Sequence, residues 1–286
     1  MDNKQRQNKK GVLILLIIIF VIIGILVIIK FHKERQKSNL SNIDILNHSD
    51  NNTSNEQAYV ILDIVCGNTY NIDCRVYVRE GGKYIPYLVI KTENYGENTV
   101  LLMREDAYPK EMMFRDCNEF GAGGSYYPGS VIDEFMENEL YNMYSDGMQS
   151  IIKNVPVKIH SKKYISKFTV PEYAVFETIN RHVFALAFSE CKSHDLLKEC
   201  DIEGAFIPEV LEFPIEKYVW LRSDAFGGDD TWASQIYNGK VQSNSISMYQ
   251  EQYVRPVFVV SADEQIRSVN SIIKDMEVFV FSVDEE

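Results

Sequence analysis

Histidine, proline and tryptophan are scarce in this chain: five, eight and two residues among 286. His32, His48, His160, His182 and His194 form no His-x-x-x-His pair and no other metal spacing, which argues against a zinc-hydrolase centre of that kind. The five cysteines, Cys66, Cys74, Cys117, Cys191 and Cys200, contain no Cys-x-x-Cys, which argues against a structural zinc site. Basic residues are thin over most of the chain. Residues 1–37 hold eight Lys/Arg and only Asp2 and Glu34. Taking these from totals of 29 and 41 leaves 21 basic and 39 acidic residues from Ser38 onward, a balance of −18. Nucleic acid is therefore no expected partner, because phosphate binding needs clustered Lys and Arg. Disorder over the whole chain is excluded by 45% hydrophobic residues, with 17 Tyr and 15 Phe.

What the chain does have is one long apolar run. Val12–Ile29 is eighteen residues without a charge, spanning roughly 27 Å as a helix, close to a bilayer core. A buried soluble helix is rarely Ile, Leu, Val and Phe on every face. The run ends in Ile28-Ile29-Lys30-Phe31-His32, with no small-residue cleavage site. An uncleaved signal anchor is expected. Lys4, Arg6, Lys9 and Lys10 precede it, and Lys30, Lys33, Arg35 and Lys37 follow it. The short basic tail favours a cytoplasmic N-terminus and an extracytoplasmic head. Lys10-Gly11 resembles a prepilin processing site, but Leu16 stands where pilins carry glutamate. Residues 33–57 are rich in Asn, Ser, Asp, Gln and Lys, the composition of a flexible tether.

The head opens with strand signals. Tyr59–Cys66 and Cys74–Arg79 read as a hairpin, broken at Gly81-Gly82. Tyr84–Lys91 and Thr99–Arg104 flank a turn at residues 94–98. Ser130 is placed to cap a helix with Asp133 and Glu134 in its first turn and Gly147 at its end. Ile132, Phe135, Met136, Leu140 and Met143 lie along one face. Val155–Ile159 with Tyr164–Phe168 reads as a second hairpin, and Arg181–Phe188 as another strand. Thr231–Tyr237 and Lys240–Ser245 meet at Asn238-Gly239, a two-residue hairpin signal. Tyr253–Val260 and Glu277–Val283 complete the strands. The expected class is α+β, a mostly antiparallel sheet with one or two helices, preceded by a single N-terminal transmembrane helix. The segments read as a basic cytoplasmic tail (1–11), the transmembrane helix (12–29), the tether (30–57), a β-hairpin extension (58–80), an α+β domain (81–262) and a C-terminal extension with a final strand (263–286).

Tyr218-Val219-Trp220-Leu221-Arg222-Ser223, then Ile236-Tyr237-Asn238-Gly239, then Tyr253-Val254-Arg255-Pro256-Val257-Phe258 form a recognisable series. It resembles an uncharacterised bacterial domain family that ends in a Trp-Leu-Arg-Ser, turn-Gly, Val-Arg-Pro pattern. Residues 87–90 with 100–103 resemble the opening strands, Ser130–Tyr144 its helix, and Phe184–Glu190 its middle strand with a following Ser and Glu. The resemblance implies a cell-surface or secreted protein without assigned activity. By analogy it implies a C-type-lectin-like fold, shared with formylglycine-generating-type proteins. Trp220, Arg222, Ser223, Gly239, Arg255 and Pro256 are then structural. Trp220 reads as core, Arg222 and Arg255 as fixing loops through several hydrogen bonds, and Pro256 as marking an edge or bulge. No segment matches the metal-holding cysteines or histidines of the formylglycine-type enzymes, so no catalytic residue is carried over.

Two glycine-bearing loops invite chemistry. Residues 121–125 lack the lysine of a phosphate loop. Residues 224–232 place Asp224, Asp229 and Asp230 beside Gly227-Gly228 and Trp232. Hard carboxylate oxygens suit calcium, and Trp232 suits stacking on a sugar face, so these four are the candidate ligand-binding residues. Cys66–Cys74 and Cys191–Cys200 are candidate local disulfides, with Cys117 left over. The expected function is a membrane-anchored bacterial surface protein that binds an extracellular protein or glycan without catalysis. A formylglycine-type enzyme without a recognisable metal site and a structural part of an envelope assembly are the alternatives.

Overall fold

The computed structural model describes residues 58–66, 74–116, 126–161, 176–191, 218–224, 232–237, 240–247, 249–270 and 277–284. The chain divides into two compact units, Met1–Asp44 and Ile45–Glu286, and the described residues all belong to the second. The apolar run 12–29 and the tether lie outside them. Among the described residues no helix is long and apolar enough to cross a membrane.

Runs of Val, Ile, Leu and aromatic residues form the strands, as these side chains favour a pleated, buried surface. The first are β1 (Ala58–Val60), β2 (Arg75–Glu80), β3 (Lys83–Lys91), β4 (Thr99–Arg104) and the short β5 (Met112–Met113). After the helical region come β6 (Val155–His160), β7 (Phe176–Arg181) and β8 (Val183–Phe184). The last third holds β9 (Val219–Asp224), β10 (Trp232–Tyr237), β11 (Lys240–Ser247), β12 (Glu251–Gln252), β13 (Val257–Ser261), β14 (Gln265–Asn270) and β15 (Glu277–Phe281). Eight strands make the main sheet, in the order β1-β14-β15-β2-β3-β4-β13-β8. Its named pairings are antiparallel except β15 with β2. The fold is α+β and sheet-rich. β4 is buried at every position, so both faces of the sheet are covered there. One core cluster joins sheet residues such as Tyr87, Leu102 and Phe258 to Ile132 and Met136 of the helix and to Trp220.

Several expected elements are corrected. Tyr59–Cys66 and Cys74–Arg79 do not pair as a hairpin. β1 pairs with β14, Ile61–Ile64 turns as a 3-10 helix, and β2 pairs with β3 and β15. Gly81-Gly82 instead closes the β2–β3 hairpin, with φ of 57° and 76°. A two-residue turn of this hand needs positive φ at both positions, which glycine adopts without strain.

The helix is capped as expected: Ser130 Oγ accepts from Asp133 N at 3.2 Å. It is α-helical over Val131–Glu134, π-helical over Phe135–Leu140 and 3-10 over Tyr141–Met143. The wider π turn rotates the end of the helix. Met143 faces outward while Ile132, Phe135, Met136 and Leu140 stay buried. Gly147 does not end this helix. Tyr144 does, in extended conformation, and Gly147 lies inside a second helix, Asp146–Ile151, capped by Ser145.

β6 pairs with β7 rather than with 164–168, which lies outside the described residues. The expected strand 181–188 is reduced to β8 and a 3-10 turn, Phe188–Glu190. β10 and β11 pair in the expected hairpin register, Tyr237 opposite Lys240. The C-terminal extension holds two strands, β14 and β15, both inside the main sheet.

Candidate functional site

Of the resemblance residues, Trp220, Arg222 and Ser223 lie on β9. Trp220 is buried among apolar side chains, edge-on to Phe114, and its indole N–H donates to Met112 O at 2.9 Å. Its backbone N–H donates to Tyr253 O at 2.9 Å. The Trp-Leu-Arg-Ser strand and the Val-Arg-Pro segment are thus neighbours, although some thirty residues of sequence separate them. Arg222 makes four side-chain hydrogen bonds. It donates to Ala185 O at 2.6 Å, to Lys158 O at 3.0 Å and to both oxygens of Glu190. Tyr95 Oη donates to the same carboxylate. Burial is the largest single influence and would lower the Arg222 pKa; the Glu190 charge and hydrogen bond, with the nearby Tyr95 and Tyr127, together outweigh it and hold the guanidinium above its ordinary value.

Arg255 donates to Arg104 O at 2.8 Å and to Glu105 O at 3.0 Å. Pro256 does not lie at a sheet edge or bulge. It stands just before β13, an inner strand, and its carbonyl accepts from Arg104 N at 3.0 Å. A proline is tolerated there because the ladder uses its C=O and needs no N–H from it. Ser223 is buried on β9.

The acidic loop is anchored by a paired strand end, with Asp224 opposite Ala233. Asp229, Asp230, Asn238 and Gly239 lie outside the described residues, as do the side chains of Asp224 and Trp232. Of the cysteines, Cys66 and Cys74 form a disulfide. Cys191 is buried with its thiol near Ala187 O, and Cys117 and Cys200 lie outside the described residues. Among the described residues no group of three His, Cys, Asp or Glu side chains is placed to hold a metal. His182 stacks on Tyr141 and pairs with Glu137 at 2.8 Å.

A concave site lies elsewhere, between the Gly81-Gly82 turn, the junction of the two helices and the C-terminal turn Ser282–Asp284. It has a volume of about 800 Å³ and is lined by Arg79, Met143, Ser145, Asp146, Val283 and Asp284 among others. That volume falls within the usual range for small-molecule clefts. Met143 and Val283 are exposed apolar side chains at its mouth. Asp284 is 2% exposed. Ser145 Oγ donates to it and also accepts from Met148 N at 3.1 Å; the Arg79 amide reaches it at 3.4 Å. Burial pushes the Asp284 carboxyl up. This outweighs the Ser145 hydroxyl, the Arg79 amide and the more distant charges of Arg79 and Arg267. Tyr84 Oη donates to the Asp284 carbonyl.

Asp284 differs from the other buried acids. Glu80 pairs with Arg104, Glu105 with Arg75, Asp133 with Arg181 and Glu190 with Arg222. No side-chain cation among the described residues forms an ion pair with Asp284. The sequence reading missed Asp284, Ser145 and Arg79, which lie far apart along the chain. The signal it offered was a carboxylate directly after an apolar strand, and no local pattern says that such a group folds inward.

The sequence model of a family described as Domain of unknown function (DUF6273) matches residues 97–262. The chain belongs to this family. The DUF6273 segment supplies three contiguous strands of the sheet, β4-β13-β8, while the flanking segments supply the other five, β1-β14-β15-β2-β3. The cleft lies where the two meet: Met143–Gly147 belong to the DUF6273 segment, and Arg79, Gly82 and Asp284 to its flanks. No curated protein and no solved structure matches the chain.

Proposed function

We propose that this DUF6273 chain is a single-pass membrane protein whose head lies on the extracytoplasmic side and binds a ligand or partner without catalysis. The observation that carries the location is the Cys66–Cys74 disulfide. Such bridges persist in oxidising compartments and are rare in the cytosol of mesophiles. It favours the orientation that the apolar run 12–29 and its short basic tail suggest. A non-enzymatic role is supported by how the buried charges are used. Arg75, Arg104, Arg181 and Arg222 are each tied to a carboxylate inside the frame. The C-type-lectin-like relationship belongs to the same proposal and rests on the pattern from Trp220 to Pro256. So does a ligand or calcium contact at Asp224, Asp229, Asp230 and Trp232, in the loop borne by the paired ends of β9 and β10. For that contact, a calcium-dependent rise in Tm that vanishes in Asp229→Asn with Asp230→Asn is the expected result.

Protease added to intact cells tests the main reading. It should cut between Lys33 and Gln57 and release the remainder of the chain as a soluble fragment. Full protection until lysis overturns the proposal.

A further inference from the structure

We infer that the cleft beside Asp284 receives a primary ammonium group carried on an alkyl stem. The inference deepens the binding reading of the head and rests on it.

Asp284 is a buried acid that forms no ion pair among the described residues. Removing a carboxylate from water costs several kcal/mol unless a cation or several donors replace the solvent. Among the described residues, four of the five buried acids are paired with an arginine. Asp284 has one hydroxyl and one long amide bond, although a carboxylate accepts about four hydrogen bonds. Unlike those four, Asp284 borders the cleft. The charges of Arg79, which also lines the cleft, and of Arg267 bear on Asp284 without forming an ion pair, so its paired cation is one that enters from outside. A metal ion is disfavoured, because the described residues bring no third ligating side chain to the site. An ammonium needs only one carboxylate and one or two further acceptors. Ser145 Oγ stands beside Asp284, and the exposed Asp146 carboxylate lies on the rim. Met143 and Val283 offer apolar surface at the mouth, which suits the methylene stem. The acidic excess of the head attracts cations over longer distances.

A free alkylamine and a lysine side chain share this chemistry. Calorimetric titration of the full-length chain in detergent with butylammonium and with Nα-acetyl-lysine methylamide separates the two. Binding of both, or of the lysine compound alone, supports the inference and names the source. Neutral 1-butanol and the Nε-acetylated lysine compound should not bind. A paired cation favours ionised Asp284, so affinity should fall as pH falls and the carboxyl takes up its proton. Asp284→Asn should weaken binding at least tenfold. Val283→Lys, at an exposed position, should also weaken binding by placing a competing ammonium at the mouth. Equal binding of 1-butanol and butylammonium, wild-type affinity in Asp284→Asn, or no heat from either amine overturns the inference. None of these results touches the location of the head, which protease on intact cells decides independently.

Discussion

Arg222 holds Glu190 in a closed fork: both terminal nitrogens of the guanidinium donate to the carboxylate, while two further N–H groups engage Ala185 O and Lys158 O. The pair ties β9 to the turn after β8 and to β6, three segments with no other sequence relationship. Arg222→Ala should therefore cost about 3–5 kcal/mol, since it leaves the Glu190 charge buried and alone. Arg222→Lys should fall between, because an ammonium keeps the charge but lacks the fork. Urea unfolding of the three proteins measures this. An alanine variant of wild-type stability would place Arg222 outside the frame.

Gly147 offers a sharper contrast. Alanine is the better helix former by about 1 kcal/mol, so helix propensity alone makes Gly147→Ala stabilising. The fold says otherwise, because a β-carbon on Gly147 would overlap the Val283 carbonyl. Backbone is a stiff neighbour, so the C-terminal turn must move. Gly147→Ala should lower the Tm and speed amide hydrogen exchange in residues 282–284. A raised Tm would show that the turn gives way without cost.

The Cys66–Cys74 bridge closes a short loop, with a sequence separation of 8. Constraining such a loop stabilises by about 2–3 kcal/mol on the chain-entropy account. Cys66→Ser with Cys74→Ser should show that loss in denaturant titration. Reductant should lower the wild-type Tm and leave the double variant unchanged.

Asp284 gives the molecule a pH signature. Its folded pKa lies above the ordinary carboxylate value, chiefly through burial. A raised folded pKa means that the native state holds its proton more tightly than the unfolded chain does. The contribution of Asp284 to stability is fully present below the unfolded pKa and is lost as pH rises through the folded one. Asp284→Asn should then be more stable than wild type at neutral pH. The difference should shrink as pH falls toward about 4, near the unfolded value. Thermal melts of both proteins from neutral to acid pH measure this. A pH-independent difference would remove the carboxyl from the account.

The amino-acid sequence by itself determined the composition-level facts. The charge asymmetry, the apolar run 12–29, the strand-forming segments and the Ser130 cap are properties of neighbours along the chain, and local periodicity and capping express them directly. The Trp220-to-Pro256 pattern was legible for the same reason. Tertiary structure decided the pairing. The Tyr59–Cys66 segment chose β14 and the β6 strand chose Phe176–Arg181, because strand propensity does not specify a partner. The π turn at Phe135–Leu140 moved Met143 to the surface and Tyr144 into the core, which a regular 3.6-residue period does not foresee. Asp284, Ser145 and Arg79 meet only because β15 lies beside β2 in the sheet and the C-terminal turn follows it to the helix junction. That adjacency spans some two hundred residues of sequence, and only packing of the whole sheet brings a buried carboxylate that forms no ion pair among the described residues to the edge of a cleft.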